Sequence, residues 1–147
     1  MSSNDSGMKK AIIWALLSLV AFSAISICCV RLFAMETSSD FAAEAFLEFH
    51  YADNDISVTI KDEGDILALK RLLNGYPFGD SPACGFTTDI SITMASGNKS
   101  IFFCPACDGC PLLLVDGSGK YIEISNEARA ELNDVLEKYG MTFPCVG

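Results

Sequence analysis

Five cysteines fall in the C-terminal half of the chain, at positions 84, 104, 107, 110 and 145. Three of them share one run, Cys104-Pro105-Ala106-Cys107-Asp108-Gly109-Cys110-Pro111. Sulfur at this spacing has three uses. Paired cysteines make structural disulfides, each contributing about 2–4 kcal/mol to a small domain. Five is an odd count, so two bridges would leave one thiol. A Cys-x-x-Cys unit can instead cycle between dithiol and disulfide, but its thiolate is normally stabilised by a helix N-terminus or a nearby cation. Here Gly109, Pro111 and an apolar, strand-like run follow, no basic residue is close in sequence, and Asp108 disfavours a neighbouring thiolate. The third use is ligation: Cys104, Cys107 and Cys110 could hold zinc or part of an iron–sulfur cluster, with Cys84 or Cys145 as fourth ligand. Disulfides are the expected use. Thiol redox or metal binding by the Cys104/Cys107/Cys110 run is the alternative.

Other reactive residues are sparse. His50 is the only histidine and sits in an alternating, strand-like segment. Asp62, Glu63 and Asp65 precede a helical pattern, where capping explains them better than calcium. Glu127, Glu131, Asp134 and Glu137 fall on the wet side of a second helical pattern. Asn98-Lys99-Ser100 matches a glycosylation acceptor. The chain has no Gly-rich phosphate loop, no Ser/His/Asp set and no basic aromatic patch, so neither catalysis nor a cofactor is expected. Ten Lys and Arg stand against 19 Asp and Glu, a net charge of −9. So acidic a chain leaves nothing to hold a phosphate backbone, and nucleic acid is excluded as an expected partner.

The elements that must position these residues begin with a hydrophobic segment. Residues 1–10 are polar and end in Lys9-Lys10; residues 11–30 contain 17 apolar side chains out of 20, and Arg31 closes the run. Twenty helical residues measure about 30 Å, the thickness of a bilayer core. The expectation is a signal-anchor helix over 11–31, a membrane partner through 11–30, and a cytoplasmic N-terminus set by the two lysines. Residues 32–40 would be a linker, and 41–147 a domain outside the cell. A cleaved signal peptide ending at Ala34 is the alternative; a lipidated Cys28 or Cys29 fits less well, because Ile27 stands where a small residue is wanted.

Beyond the linker the patterning alternates in short pieces. Leu47, Phe49 and Tyr51 alternate with polar residues, and Ile56, Val58 and Ile60 do so after Asp53-Asn54-Asp55, predicting a hairpin. Phe41 to Phe46 could equally begin a helix. Ile66, Leu69, Leu72 and Leu73 recur at helical spacing, with Asp62 or Asp65 as cap and Asn74-Gly75 as stop. Tyr76 to Phe86 reads as a loop. Four more strands follow, around Ile90–Met94, Ser100–Cys104, Leu112–Val115 and Tyr121–Ile124, the last pair turned by Asp116-Gly117-Ser118-Gly119. Ser125 caps a final helix whose Ala128, Leu132, Val135 and Leu136 share a face, and Gly140 ends it. The predicted fold is α+β: an N-terminal transmembrane helix, then ββα-ββββ-α, a mostly antiparallel sheet with two helices on one face.

Several short motifs have a familiar combination. Asp80-Ser81-Pro82-Ala83-Cys84-Gly85-Phe86, Cys104-Pro105-Ala106 with Asp108-Gly109-Cys110, Lys120-Tyr121-Ile122 with Ser125, and Lys138-Tyr139-Gly140 with Phe143-Pro144-Cys145 resemble an uncharacterised extracytoplasmic domain of bacterial, Gram-positive-type membrane-anchored and secreted proteins. The resemblance covers residues 56–147. It implies that Cys84, Cys104, Cys110 and Cys145 are the disulfide cysteines and that Cys107 is a free thiol. Cys104–Cys110 with Cys84–Cys145, or Cys84–Cys104 with Cys110–Cys145, are the pairings expected. No activity comes with the resemblance. The functional expectation is a binding or structural domain without catalysis, bound to no metal.

Overall fold

The computed structural model describes residues 4–51, 53–117 and 119–143. The chain divides into two compact units between Glu36 and Thr37.

The first unit is one long helix, α1 (Asn4–Thr37). Within it Ser18, Ser23 and Ser26 each donate their hydroxyl to a carbonyl three or four residues back, those of Ala15, Val20 and Phe22. The expected membrane anchor is not supported. Among the described residues no helix is long and apolar enough to cross a membrane. The transmembrane helix over 11–31 and the single-pass location with a domain outside the cell are corrected together, since both rested on that span. The helix also continues to Thr37, through much of the segment expected as a linker.

The second unit begins with buried Thr37 and Ser39 and builds one seven-stranded antiparallel sheet. Its elements are β1 (Glu44–Phe49), β2 (Ile56–Ile60), α2 (Glu63–Leu72), β3 (Tyr76–Phe78), β4 (Ile90–Ser96), β5 (Lys99–Pro105), β6 (Leu112–Val115), β7 (Lys120–Glu123) and α3 (Asn126–Glu137). The strand order is β2-β1-β4-β5-β6-β7-β3. The α+β class and the antiparallel pairing match expectation. The seventh strand does not: β3 lies inside the predicted loop. Its Tyr-Pro-Phe lacks an alternating pattern, and Pro77 argues against a strand. An edge tolerates it, because one row of hydrogen-bonding groups there has no partner to serve. At the other end, Phe41–Phe46 resolves as strand from Glu44, pairing on both sides with β2 and β4.

Alternation decides the core. Leu47, Phe49, Ile60, Ile90, Ile92, Met94, Phe103, Leu113 and Ile122 are fully buried on one face. The register carries that face across the sheet through Leu47↔Ile92, Ile92↔Phe103, Phe103↔Val115 and Leu113↔Ile122. The buried stripes of α2 (Ile66, Leu69, Leu72) and α3 (Leu132, Val135, Leu136) cover it. Their caps follow the sequence signals. The Asp62 carboxylate accepts from the Asp65 N–H at 2.9 Å, and the Ser125 hydroxyl accepts from the Ala128 N–H at 3.1 Å. Gly140 takes φ +88°, and Met141 N–H reaches back to the Leu136 carbonyl, the left-handed terminator expected there.

Candidate functional site

The connection from Gly79 to Asp89 crosses the sheet face opposite the helices. Three contacts hold it there. Cys84 is bonded to Cys110, the Cys107 N–H donates to the Gly85 carbonyl at 2.8 Å, and the Phe86 ring lies 5.3 Å from that of Tyr121. Ser91 and Cys104 belong by alternation to this face, yet both are buried.

The observed bridge differs from both expected pairings. Cys84 joins Cys110, while Cys104 is a free thiol among the described residues; Cys145 lies outside them. The reason is the path of the connection. It brings Cys84 over the turn after β5, beside Cys110. Cys104 is the penultimate residue of β5, opposite Leu114, and its side chain is buried. Cys107 is free and half-buried.

Thiol chemistry is poorly served here. Burial, and secondarily the charge of Cys107, push the Cys104 thiol up to about 11, so almost none is thiolate near neutral pH. Cys110 is engaged with Cys84. The Cys104/Cys107/Cys110 run is therefore not assembled as a single three-thiol site.

A different grouping is assembled. Cys84, Asp108 and Cys110 each offer a ligand atom, and the three lie within 4.8 Å of one another. Asp108 is oriented by the two segments that carry the sulfurs: its Oδ2 accepts from the Gly85 N–H at 3.3 Å and its Oδ1 from the Cys110 N–H at 3.2 Å. Sequence spacing pointed to Cys110 and its neighbours but not to Asp108 as a partner of Cys84, which is 24 positions away.

The rest of the open face is a surface of large apolar side chains. Phe46 pairs with Thr93, which pairs with Phe102; Cys104 pairs with Leu114, Leu114 with Tyr121, and Tyr121 with Phe78. Phe46 is 37% exposed, and Phe102, Leu114, Tyr121 and Phe78 are half-buried. Among the described strand positions on this face are Glu44, Glu48 and Glu123 but no Lys or Arg.

The remaining candidates have structural partners. His50 Nδ1 lies 2.6 Å from the Asp55 carboxylate, an exposed pair across the first hairpin. Asp65 does not cap α2. Its carboxylate accepts from Tyr139 Oη at 2.6 Å and Lys138 Nζ at 2.7 Å, joining the start of α2 to the end of α3. Those hydrogen bonds hold the Asp65 carboxyl below its ordinary range, and the same carboxylate pushes the Tyr139 phenol up to about 12. Glu127, Glu131, Asp134 and Glu137 are exposed, and Glu131 meets Arg71. Asn98 is exposed in the β4–β5 turn. Arg129 is the unforeseen residue. It is buried on the stripe of α3, donates to the Ala106 carbonyl at 2.9 Å and lies 4.8 Å over the Phe143 ring.

No protein-family model, curated protein or solved structure matches the chain.

Proposed function

We propose that residues 37–147 are a binding domain without catalysis, which docks a cationic, apolar segment of a partner protein on the open face of its sheet. The observation that supports this is the coexistence of Phe46, Phe102, Leu114, Tyr121 and Phe78 with Glu44, Glu48 and Glu123 on one face that carries no Lys or Arg among its described strand positions. Residues 37–147 as a whole carry 17 acidic and 7 basic side chains. A negative field steers a basic partner, and burial of the aromatic surface then supplies the affinity. Aromatic side chains at the centre of such a patch are the usual anchors of binding energy. The same reading takes the resemblance to uncharacterised bacterial domains as a resemblance between binding modules.

The test is a titration of the full chain with a synthetic peptide alternating Lys and Leu, against a control alternating Glu and Leu. Only the basic peptide binds, and Glu48→Lys and Glu123→Lys each weaken it about two- to fivefold, the worth of an exposed ion pair. Equal binding of both peptides, or binding indifferent to both charge reversals, refutes the reading.

A further inference from the structure

We propose that Cys84, Cys110 and Asp108 form a redox-gated site for a zinc-class divalent cation, closed while the two sulfurs are bonded and opened when they are reduced. Two thiolates and one carboxylate make a donor set suited to zinc, with the fourth tetrahedral position left to water. Ligands 2.0–2.3 Å from a tetrahedral ion stand about 3.3–3.8 Å apart. The three donor atoms here already lie within 4.8 Å of one another. Reduction frees the two bonded sulfurs to part to that spacing, and side-chain rotation brings the carboxylate to it. Asp108 is preset for the task by its bonds to the Gly85 and Cys110 N–H groups, which fix its carboxylate between the two sulfur-bearing segments. The Cys107 N–H to Gly85 carbonyl bond ties those segments together independently of sulfur, so the site persists when the bridge opens.

The chemistry balances with a dithiol as reductant. One of its thiolates attacks a sulfur of the Cys84–Cys110 bridge and breaks the S–S bond. Its second thiolate then displaces that sulfur from the mixed disulfide. Two electrons and two protons pass to the protein, leaving Cys84 and Cys110 as thiols, and the reductant departs as its cyclic disulfide. Metal binding releases the two thiol protons to solvent. The site thus converts a change in thiol poise into metal uptake at the point where the 79–89 connection is fastened. Cys104 takes no part, being buried within β5, and Cys107 is not required.

Cobalt(II) is the probe, because thiolate coordination gives it a charge-transfer absorption. The full chain is titrated with cobalt after reduction by a dithiol and removal of the excess, and again in its oxidised form. One cobalt binds to the reduced chain, zinc displaces it, and the oxidised chain shows no thiolate band. Asp108→Asn, which keeps the bridge and the shape of the side chain, lowers the affinity of the reduced chain at least ~10-fold. Cys104→Ala and Cys107→Ala leave both affinity and band intensity unchanged. Circular dichroism of each oxidised variant shows that the fold is kept. Binding that survives Asp108→Asn overturns the proposal. So does binding lost with Cys107→Ala, which would assign the metal to the Cys104/Cys107/Cys110 run, and so does a reduced chain that unfolds and is not restored by zinc.

Discussion

Replacing Asp65 by Ala removes the carboxylate that joins the two helices. Its side chain is 15% exposed, so the interaction is only partly screened, whereas Lys138 is 58% exposed. The Tyr139 hydroxyl, 2.6 Å away, makes a hydrogen bond to a charged acceptor, worth about 1.5–3 kcal/mol. The Lys138 contact adds only about 0.2–1 kcal/mol, because one partner is largely in water. Asp65→Ala is therefore expected to cost about 2–3 kcal/mol, and its thermal midpoint to fall by roughly 10 °C. Tyr139→Phe should account for most of the loss and Lys138→Ala for little. The pH dependence follows from the two shifted groups. Asp65 titrates lower in the folded state, so its contribution is present above its unfolded pKa near 3.8 and is lost as pH falls through the folded value. Tyr139 is raised from 10 to about 12, so its contribution is present below pH 10 and is lost as pH rises through 12. Urea unfolding across both ranges, on the full chain and on Asp65→Asn, measures this. The variant should show flatter acid and alkaline limbs. A loss below about 0.5 kcal/mol for Asp65→Ala, the size of an ordinary surface change, refutes the reasoning, as do parallel limbs in the two proteins.

Two further perturbations follow from packing and sulfur. A Cβ at Gly75 would run into the Glu123 carbonyl, so Gly75→Ala should cost about 1–3 kcal/mol in denaturant unfolding, although Gly75 lies in no helix or strand. The Cys84–Cys110 bridge spans 26 positions, for which the chain-entropy account gives about 3.5 kcal/mol. Cys84→Ala should lose most of that, while Cys107→Ala, whose backbone bond to Gly85 is kept, should change stability by less than about 0.5 kcal/mol in the same assay.

The parts of the fold legible in the residues are those governed by local rules. Period-two alternation marked the strands at Leu47–Phe49, Ile56–Ile60 and Ile90–Met94. Asp62, Ser125 and Gly140 marked helix ends, because capping and left-handed turns depend on one residue and its immediate neighbours. What escaped depends on distant segments. The partner of Cys84 is set by how the 79–89 connection crosses the sheet. Burial of Cys104 escaped too, since its strand pattern leaves it on the open side. β3 carries a proline that only an edge position accommodates, and edge status is a property of the whole sheet. Arg129 carries no local signal of burial, because the Ala106 carbonyl and the Phe143 ring reach it only through the fold. The N-terminal segment, expected from its composition over 11–30 to cross a membrane, is corrected by the structure, in which no described helix is long and apolar enough to do so.

The docking face is tested most directly by mapping amide chemical shifts of the isotope-labelled full chain as the Lys/Leu peptide is added. The account predicts shifts concentrated on β1, β4, β5, β6 and β7 around Phe46, Phe102, Leu114 and Tyr121, with the helices α2 and α3 unmoved. Shifts confined to α2 and α3, or no shifts at all, would contradict it.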